Sequence, residues 1–190
     1  MARNLKQNIE IKIILDSRER DETLLKTIKM DKSFKSDKIK ICQIEKKCFK
    51  ALGVKTSTGD LGIEYRFEGE TRWKKTKLSI ELKRDADIFS TLYSNIKRFR
   101  KELDRSDKYD LDFYILHNWT FNQIKEHIVK LQKKRRLGYQ SQPFLTFLNN
   151  YLDVTKRCAV VNCGDNFEET IRRIIKIHVL KNKLQYRVDK

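Results

Sequence analysis

The residues of this chain best suited to catalysis are two carboxylates and a lysine at the ends of two predicted strands. Asp60 precedes the alternating run Leu61–Phe67, while Glu81 and Lys83 close the run that begins at Lys77. A turn-forming glycine separates the runs, so they predict a hairpin that brings Asp60, Glu81 and Lys83 together. Two carboxylates beside a cation suit a hard divalent ion such as Mg2+, which prefers oxygen ligands. The spacing therefore indicates a metal-dependent phosphodiesterase, and the alternative is a solvated strand edge.

A second acidic cluster follows the first predicted strand. The run from Ile11 to Asp16 is apolar and strand-like, and the chain continues with Ser17, Arg18 and Glu19. Open α/β sheets build their sites at the ends of strands. Asp16 is therefore a further candidate carboxylate for the same site.

Taken together, these segments resemble the nuclease domain of XPF-type structure-specific endonucleases. The signature of that family is V-D-x-R-E followed by G-D-x(n)-E-R-K-x(3)-D, a variant of the PD-(D/E)xK site. The matching residues are Asp16, Arg18, Glu19, Gly59, Asp60, Glu81, Lys83 and Asp87. Leu82 departs from the pattern because the family has Arg there, and Arg84 is a candidate to take over that role.

The resemblance implies an α/β fold of the restriction-endonuclease-like type, with a mixed central β-sheet flanked by α-helices. It implies that Mg2+ or Mn2+ is held by Asp60, Glu81, the Leu82 carbonyl and Asp16. Lys83 would orient the attacking water or offset charge on the phosphate. Supporting roles fall to Arg18 and Arg98 as phosphate contacts, and to Glu19 and Asp87, which would position the basic residues.

The chain is strongly basic, with 43 Lys and Arg against 26 Asp and Glu and a formal net charge of +17. This balance favours a polyanion, here DNA, because each neutralised phosphate releases counterions; a generically lysine-rich surface is the alternative. One cluster lies in a turn-like segment with a tyrosine, which suits a loop that grips phosphates and stacks on a base. A solvated loop is the alternative. The candidate DNA-binding residues are Lys133, Lys134, Arg135, Arg136 and Tyr139 in that segment, with Arg84 and Arg100.

Hydrophobic periodicity places these residues on strands and helices. The predicted strands are Ile11–Asp16, Val54–Thr58, Leu61–Phe67, Lys77–Leu82, Leu111–Leu116 and Cys158–Val161. The predicted helices are Glu22–Ile28, one capped by Asp87, a basic one at 95–104, Thr120–Leu131, Pro143–Leu152, and one capped by Asn166. Residues 31–40 are predicted to be a loop, and 41–52 is ambiguous. The last helix has an apolar stripe typical of core, formed by Phe167, Ile171, Ile174, Ile175 and Val179.

Length and composition predict a single domain over residues 1–190, with a core from about residue 10 to 182. No apolar run approaches the ~20 residues that span a bilayer, and the first residues lack the apolar segment of a secretion signal. We therefore expect an intracellular protein with no membrane partner. The four cysteines do not have the paired spacing of a zinc site, so they are expected to be reduced, buried thiols.

We expect the chain to lack the helix-hairpin-helix or helicase module that often accompanies XPF-type nucleases. Specificity for branched or otherwise structured DNA, in repair, recombination or replication, would then come from this domain, a homodimer mate or another protein. Two other functions of the same fold remain open. One is a restriction-type or Holliday-junction-resolving endonuclease, and the other is a catalytically silent DNA-binding module. A pure interaction protein is a more distant alternative.

Overall fold

The computed structural model describes residues 8–16, 39–47, 59–134 and 142–188. Within these residues the chain forms an α/β fold around a mixed six-stranded sheet. The strands are β1 (Ile9–Asp16), β2 (Ile39–Lys47), β3 (Leu61–Phe67), β4 (Lys74–Lys83), β5 (Asp112–His117) and β6 (Ala159–Asn162). The helices are α1 (Ala86–Phe89), a π-helical turn (Ser90–Ser94), α2 (Ile96–Lys108), α3 (Phe121–Lys133), α4 (Pro143–Thr155) and α5 (Phe167–Val188).

The strands are arranged in the order β2-β1-β3-β4-β5-β6. β1 is parallel to β2 and antiparallel to β3, and β5 is parallel to β6. β3 and β4 are neighbours joined only by residues 68–73. A parallel crossover needs about a dozen residues or more, so this short connection makes the two strands a hairpin. The predicted bounds of β3 are correct, and β4 is longer at both ends than predicted.

The chain divides into two compact units. The first consists of Met1–Ser79 with Glu168–Lys190, and the second of Ile80–Phe167. β4 runs through the boundary and contributes residues to both.

In the first unit, β1 is buried along nearly its whole length, because it has a strand on each side and apolar side chains on both faces. One buried position is a lysine. The Lys12 ammonium lies 3.2 Å from Glu64 and 3.6 Å from Glu45, and 4.5 Å from the centre of the Trp73 ring. The Arg66 guanidinium lies over the same ring, also at 4.5 Å. Burial of this cation is tolerated because carboxylates and an aromatic face replace its water.

In the second unit, helices and β5 enclose a hydrophobic core of aliphatic and aromatic side chains. Its buried members are Ile88, Phe89, Leu92, Phe99, Leu103, Phe113, Ile115, Ile124, Ile128, Phe147 and Val154. The cluster draws on every helix from α1 to α4, so these helices are held mainly by their apolar faces.

Several predicted elements have different bounds in the structure. Residues 39–40 were expected in a loop, but they begin β2, which continues to Lys47 through the segment that was ambiguous. β5 and β6 each begin and end one residue later than predicted. The predicted strand 54–58 and the predicted helix 22–28 lie outside the described residues.

The prediction that Asp87 caps the helix after β4 is wrong. Asp85 is the N-cap residue, and Asp87 lies in the first turn of α1. There its negative charge faces the positive end of the helix dipole.

The apolar stripe of α5 belongs to the core, as the sequence predicts. Phe167, Ile171, Ile174, Ile175 and Val179 are all buried. On the same helix Ile177 and Leu180 are exposed. Among the described residues, no helix combines the length and the apolar character that crossing a bilayer would require.

Candidate active site

In the first unit, the structure brings Asp16 and Asp60 together at one end of the β1–β3 pair. Leu15 is opposite Leu61 in the register of the pair, and the Asp16 backbone N–H donates to the Asp60 carbonyl oxygen at 2.9 Å. Asp16 is only 2% exposed, whereas Asp60 is half-buried. Two predicted site carboxylates are thus fixed on neighbouring backbones.

The backbone conformation at position 59 explains why a glycine precedes Asp60. Its φ of 87° lies in the left-handed region, where a Cβ atom would strain the backbone. Gly59 therefore allows the bend that leads into β3, and Asp60 places a carboxylate between that glycine and the first residue of the strand.

In the second unit, Glu81 and Lys83 form an ion pair near the end of β4. The Lys83 ammonium donates to Glu81 Oε1 at 2.5 Å, and the two side chains are 15% and 9% exposed. Residues i and i+2 of a strand share a face, which explains why these two meet. Leu82, on the other face, is also buried.

This ion pair contributes little to stability, because the free-energy cost of desolvating two buried charges often exceeds the gain from their mutual attraction. Replacing such a pair with apolar residues is often neutral or stabilising.

A tight turn fixes the chain directly after Lys83. Asp85 has φ 49° and ψ −126°, and the Asp87 N–H donates to the Arg84 carbonyl at 2.9 Å. These values are those of the second residue in a type II′ turn, a position usually held by glycine. Asn118 clamps it: its Oδ1 accepts from the Asp85 N–H at 2.6 Å, and its Nδ2 donates to Asp85 Oδ1 at 3.0 Å.

The predicted basic contacts have different environments. Arg98 is exposed on α2 and makes no ion pair with any described residue. Arg100 is paired with Asp153 at 3.2 Å, so its charge is partly engaged within the protein. The Arg84 guanidinium lies over the aromatic ring that begins α5, 4.9 Å from the ring centre. Asp87 is exposed.

Part of the predicted DNA-binding loop can be placed. Lys133 and Lys134 are exposed at the end of α3. The other predicted site residues, Arg18, Glu19, Arg135, Arg136 and Tyr139, lie outside the described residues.

The donor chemistry fits a hard metal ion only in part. Asp16, Asp60 and Glu81 supply the carboxylate oxygens that Mg2+ and Mn2+ prefer. Within the described residues, however, no group of three or more His, Cys, Asp or Glu side chains is gathered to hold a metal. Mg2+ commonly takes only one or two protein carboxylates and completes its shell with water and substrate phosphate. Asp16 and Asp60, which lie on neighbouring backbones in the first unit, are as many carboxylates as a site of that kind takes.

Two of the three described cysteines, Cys42 and Cys158, have thiol pKa values raised above the ordinary value, mainly by desolvation, which disfavours the nucleophilic thiolate. Cys42 and Cys158 carry free thiols; Cys42 is exposed on β2, and Cys158 and Cys163 are half-buried. The prediction of buried thiols is therefore wrong for Cys42, because its strand β2 is an edge strand among the described residues, with only β1 beside it. Burial raises the pKa of the Cys158 thiol to about 12, so it stays protonated at neutral pH. Cys48 lies outside the described residues.

Comparison of the sequence with models of known protein families finds no match, and comparison with curated protein sequences also finds none.

Proposed function

We propose that this protein is a Mg2+- or Mn2+-dependent endodeoxyribonuclease with a restriction-endonuclease-like fold. The observation that carries the proposal is the buried Glu81–Lys83 ion pair at the end of β4. Glu-x-Lys in this position is the second half of the sequence pattern that resembles XPF-type nucleases. The first half, Gly59-Asp60, precedes β3, the strand next to β4 in the sheet.

The protein's own groups suit phosphodiester hydrolysis. The reaction replaces one P–O ester bond with a bond to a water oxygen, and negative charge grows on the phosphoryl oxygens. The Lys83 ammonium would oppose that charge, while Asp16, Asp60 and Glu81 supply oxygen ligands. A bound divalent ion would polarise the phosphate and lower the pKa of the attacking water. Arg98, which is exposed and makes no ion pair with any described residue, is suited to a phosphate contact.

DNA is the proposed substrate because of the net charge of +17, which favours a polyanion. Branched or otherwise structured DNA, in repair, recombination or replication, follows from the resemblance. A homodimer is proposed on the same ground. The buried stripe of α5 is occupied within the single chain, so a dimer using this helix would rely on its exposed Ile177 and Leu180.

A catalytically silent DNA-binding module is the second candidate. One observation suits it: the net charge of +17 favours a polyanion whether or not the strand is cut. The two candidates differ in a single measurable property, which is cleavage in the presence of Mg2+.

The test uses labelled flap, fork, bubble and linear DNA, with wild-type protein in Mg2+ and in EDTA. Glu81→Gln removes one anionic ligand while keeping side-chain size, so cleavage should fall by several orders of magnitude. DNA binding should persist or tighten slightly, because a negative charge facing the phosphate is gone. Glu126→Gln, an exposed glutamate on α3, gives the same change in net charge and should leave cleavage unchanged.

Wild-type protein that binds DNA without cutting any substrate in Mg2+ or Mn2+ would support the silent module. Cleavage by Glu81→Gln protein at the wild-type rate would show that Glu81 is not part of the active site.

A further inference from the structure

We propose that the surface formed by Phe121, Lys125 and Phe144, named here the aromatic–lysine patch, binds single-stranded nucleic acid. One base would stack on Phe121, and a neighbouring phosphate would lie at Lys125. This site goes beyond the proposed reaction, because it would hold an unpaired strand whether or not that strand is cut.

Phe121 is exposed and yet held in one orientation. It is 42% exposed at the start of α3, and it makes edge-to-face contacts with Phe144, Phe147 and Tyr151. The distances between ring centres are 6.4, 6.4 and 5.3 Å. Single exposed apolar side chains are common, but a ring fixed by three others loses little further freedom on binding. A rigid, flat, accessible ring is what stacking on a base requires.

The start of α3 is also fixed, by a capping box immediately before Phe121. The Gln123 N–H donates to Thr120 Oγ1 at 3.3 Å, and the Thr120 N–H donates to Gln123 Oε1 at 2.8 Å. Because both backbone donors are satisfied, the first turn of the helix does not fray easily. The position of Phe121 is thereby set by backbone and by ring contacts.

Lys125 adds a positive charge to the same surface. It lies one helical turn after Phe121, so the two side chains share a face of α3. Its ammonium is 4.7 Å from the centre of the Phe144 ring, and it makes no ion pair with any described residue. The cation is thus held near the rings by an aromatic face, and no carboxylate competes with an incoming phosphate.

The surrounding charge favours a nucleic acid over an apolar protein partner. Exposed Val129 and Leu145 belong to the same two helices and would suit a protein surface. However, α3 and the residue after it carry Lys125, Lys130, Lys133 and Lys134 against the single carboxylate of Glu126. A base must be unpaired to reach a surface ring, because a duplex keeps the faces of its bases stacked. The patch therefore fits a single strand.

The test measures binding of a labelled oligothymidine to the full chain in EDTA, so that cleavage does not contribute. Phe121→Leu keeps an apolar side chain but removes the ring, and affinity should fall roughly five- to 150-fold, the range for one lost stack. Phe121→Trp should bind at least as well as wild type. An oligomer of abasic nucleotides should bind wild type and Phe121→Leu equally.

Charge is tested separately through the salt dependence of binding. Lys125→Met should flatten the log-log slope by about 0.7, as expected for one single-strand phosphate contact. Lys130→Met is the matched control, since position 130 lies on the opposite side of α3 from Phe121. It should change the slope much less.

Equal oligothymidine affinity of wild type and Phe121→Leu would overturn the proposal, and would leave the exposed apolar side chains to a protein partner. Equal effects of Lys125→Met and Lys130→Met would also overturn it, because binding would then follow net charge alone. Binding is measured in EDTA, where cleavage does not contribute, so a failed cleavage assay leaves this result standing.

Discussion

At the scale of single residues, His117 links folding to pH. It is buried at the end of β5, and its Nε2 lies 3.4 Å from the Tyr151 hydroxyl. Burial lowers the pKa of His117 below its ordinary value of 6.5. The unfolded chain therefore binds this proton at a higher pH than the folded protein does.

We expect the contribution of His117 to stability to be fully present above pH 6.5. It should be lost as pH falls below that value and through the lower folded-state pKa. For one proton, the slope cannot exceed about 1.4 kcal/mol per pH unit. This slope is obtained from the free energies of unfolding of wild type and of His117→Gln, measured by denaturant titration between pH 7.5 and 5. The slope should be smaller for the variant.

Tyr151→Phe is the control for this experiment. It removes the hydroxyl group but keeps the ring that covers His117, so the desolvation that lowers the pKa remains and the slope should persist. If His117→Gln retained the wild-type slope, another group would be responsible.

The residues that could be predicted from sequence are those whose neighbours are local. Glu81 and Lys83 are two positions apart on a strand, so their contact follows from strand geometry alone. Asn118 and Asp85 are 33 residues apart, and no local pattern pairs them. Phe144 lies beside Lys125 only because α3 and α4 pack together. The aromatic–lysine patch was therefore not visible as a motif.

At the scale of elements, the turn between β4 and α1 is the place where sequence and conformation disagree most. A type II′ turn favours glycine at its second position, and here Asp85 occupies it. A side chain with positive φ is uncommon, and its cost is of the order of 1–3 kcal/mol. The two hydrogen bonds with Asn118 offset part of that cost.

We expect Asp85→Gly to be more stable than Asp85→Ala by about 1 kcal/mol. Both variants lose the bond from Asn118 to the carboxylate, but only glycine relieves the positive φ. Free energies of unfolding from urea titrations give the comparison. A more stable alanine variant would mean that Asp85 does not hold this conformation in solution.

Elements with a complete local signal were predicted well. β3 alternates cleanly between two turns, and α3 is preceded by a threonine with a glutamine three residues later, which is the pattern of a capping box. β2 had no such signal, because Ile39–Lys47 mixes apolar, polar and charged residues. The sequence predicts Asp87 as the cap of the helix after β4 instead of Asp85, because the turn before that helix lacks the usual glycine.

At the scale of the whole molecule, alternating strand and helix signals were enough to predict an α/β fold. The order of strands in the sheet was not readable, since it depends on which strands pair over long distances in the sequence. Pairing of β1 with both β2 and β3 is an example: one partner is parallel and the other antiparallel. The proposed metal ligands depend on such pairing as well, because Asp16, Asp60 and Glu81 lie on or directly before three different strands.

β4 is shared by the two compact units, so unfolding of one unit should affect the other. The chain has two tryptophans, and each unit contains one: Trp73 in the first and Trp119 in the second. Trp73 lies beside two cations, and Trp119 lies 5.1 Å from the His127 ring. Each unit thus carries its own natural fluorophore in a distinct surrounding.

Variants with a single tryptophan, Trp119→Phe and Trp73→Phe, should therefore report the unfolding of each unit separately. We expect their emission to change at the same denaturant concentration, once each variant's own loss of stability is subtracted, because a strand common to both units cannot stay folded in half. Two separate midpoints would mean independent folding. The cooperativity of the whole chain can thus be read from its intrinsic light emission, without any attached label.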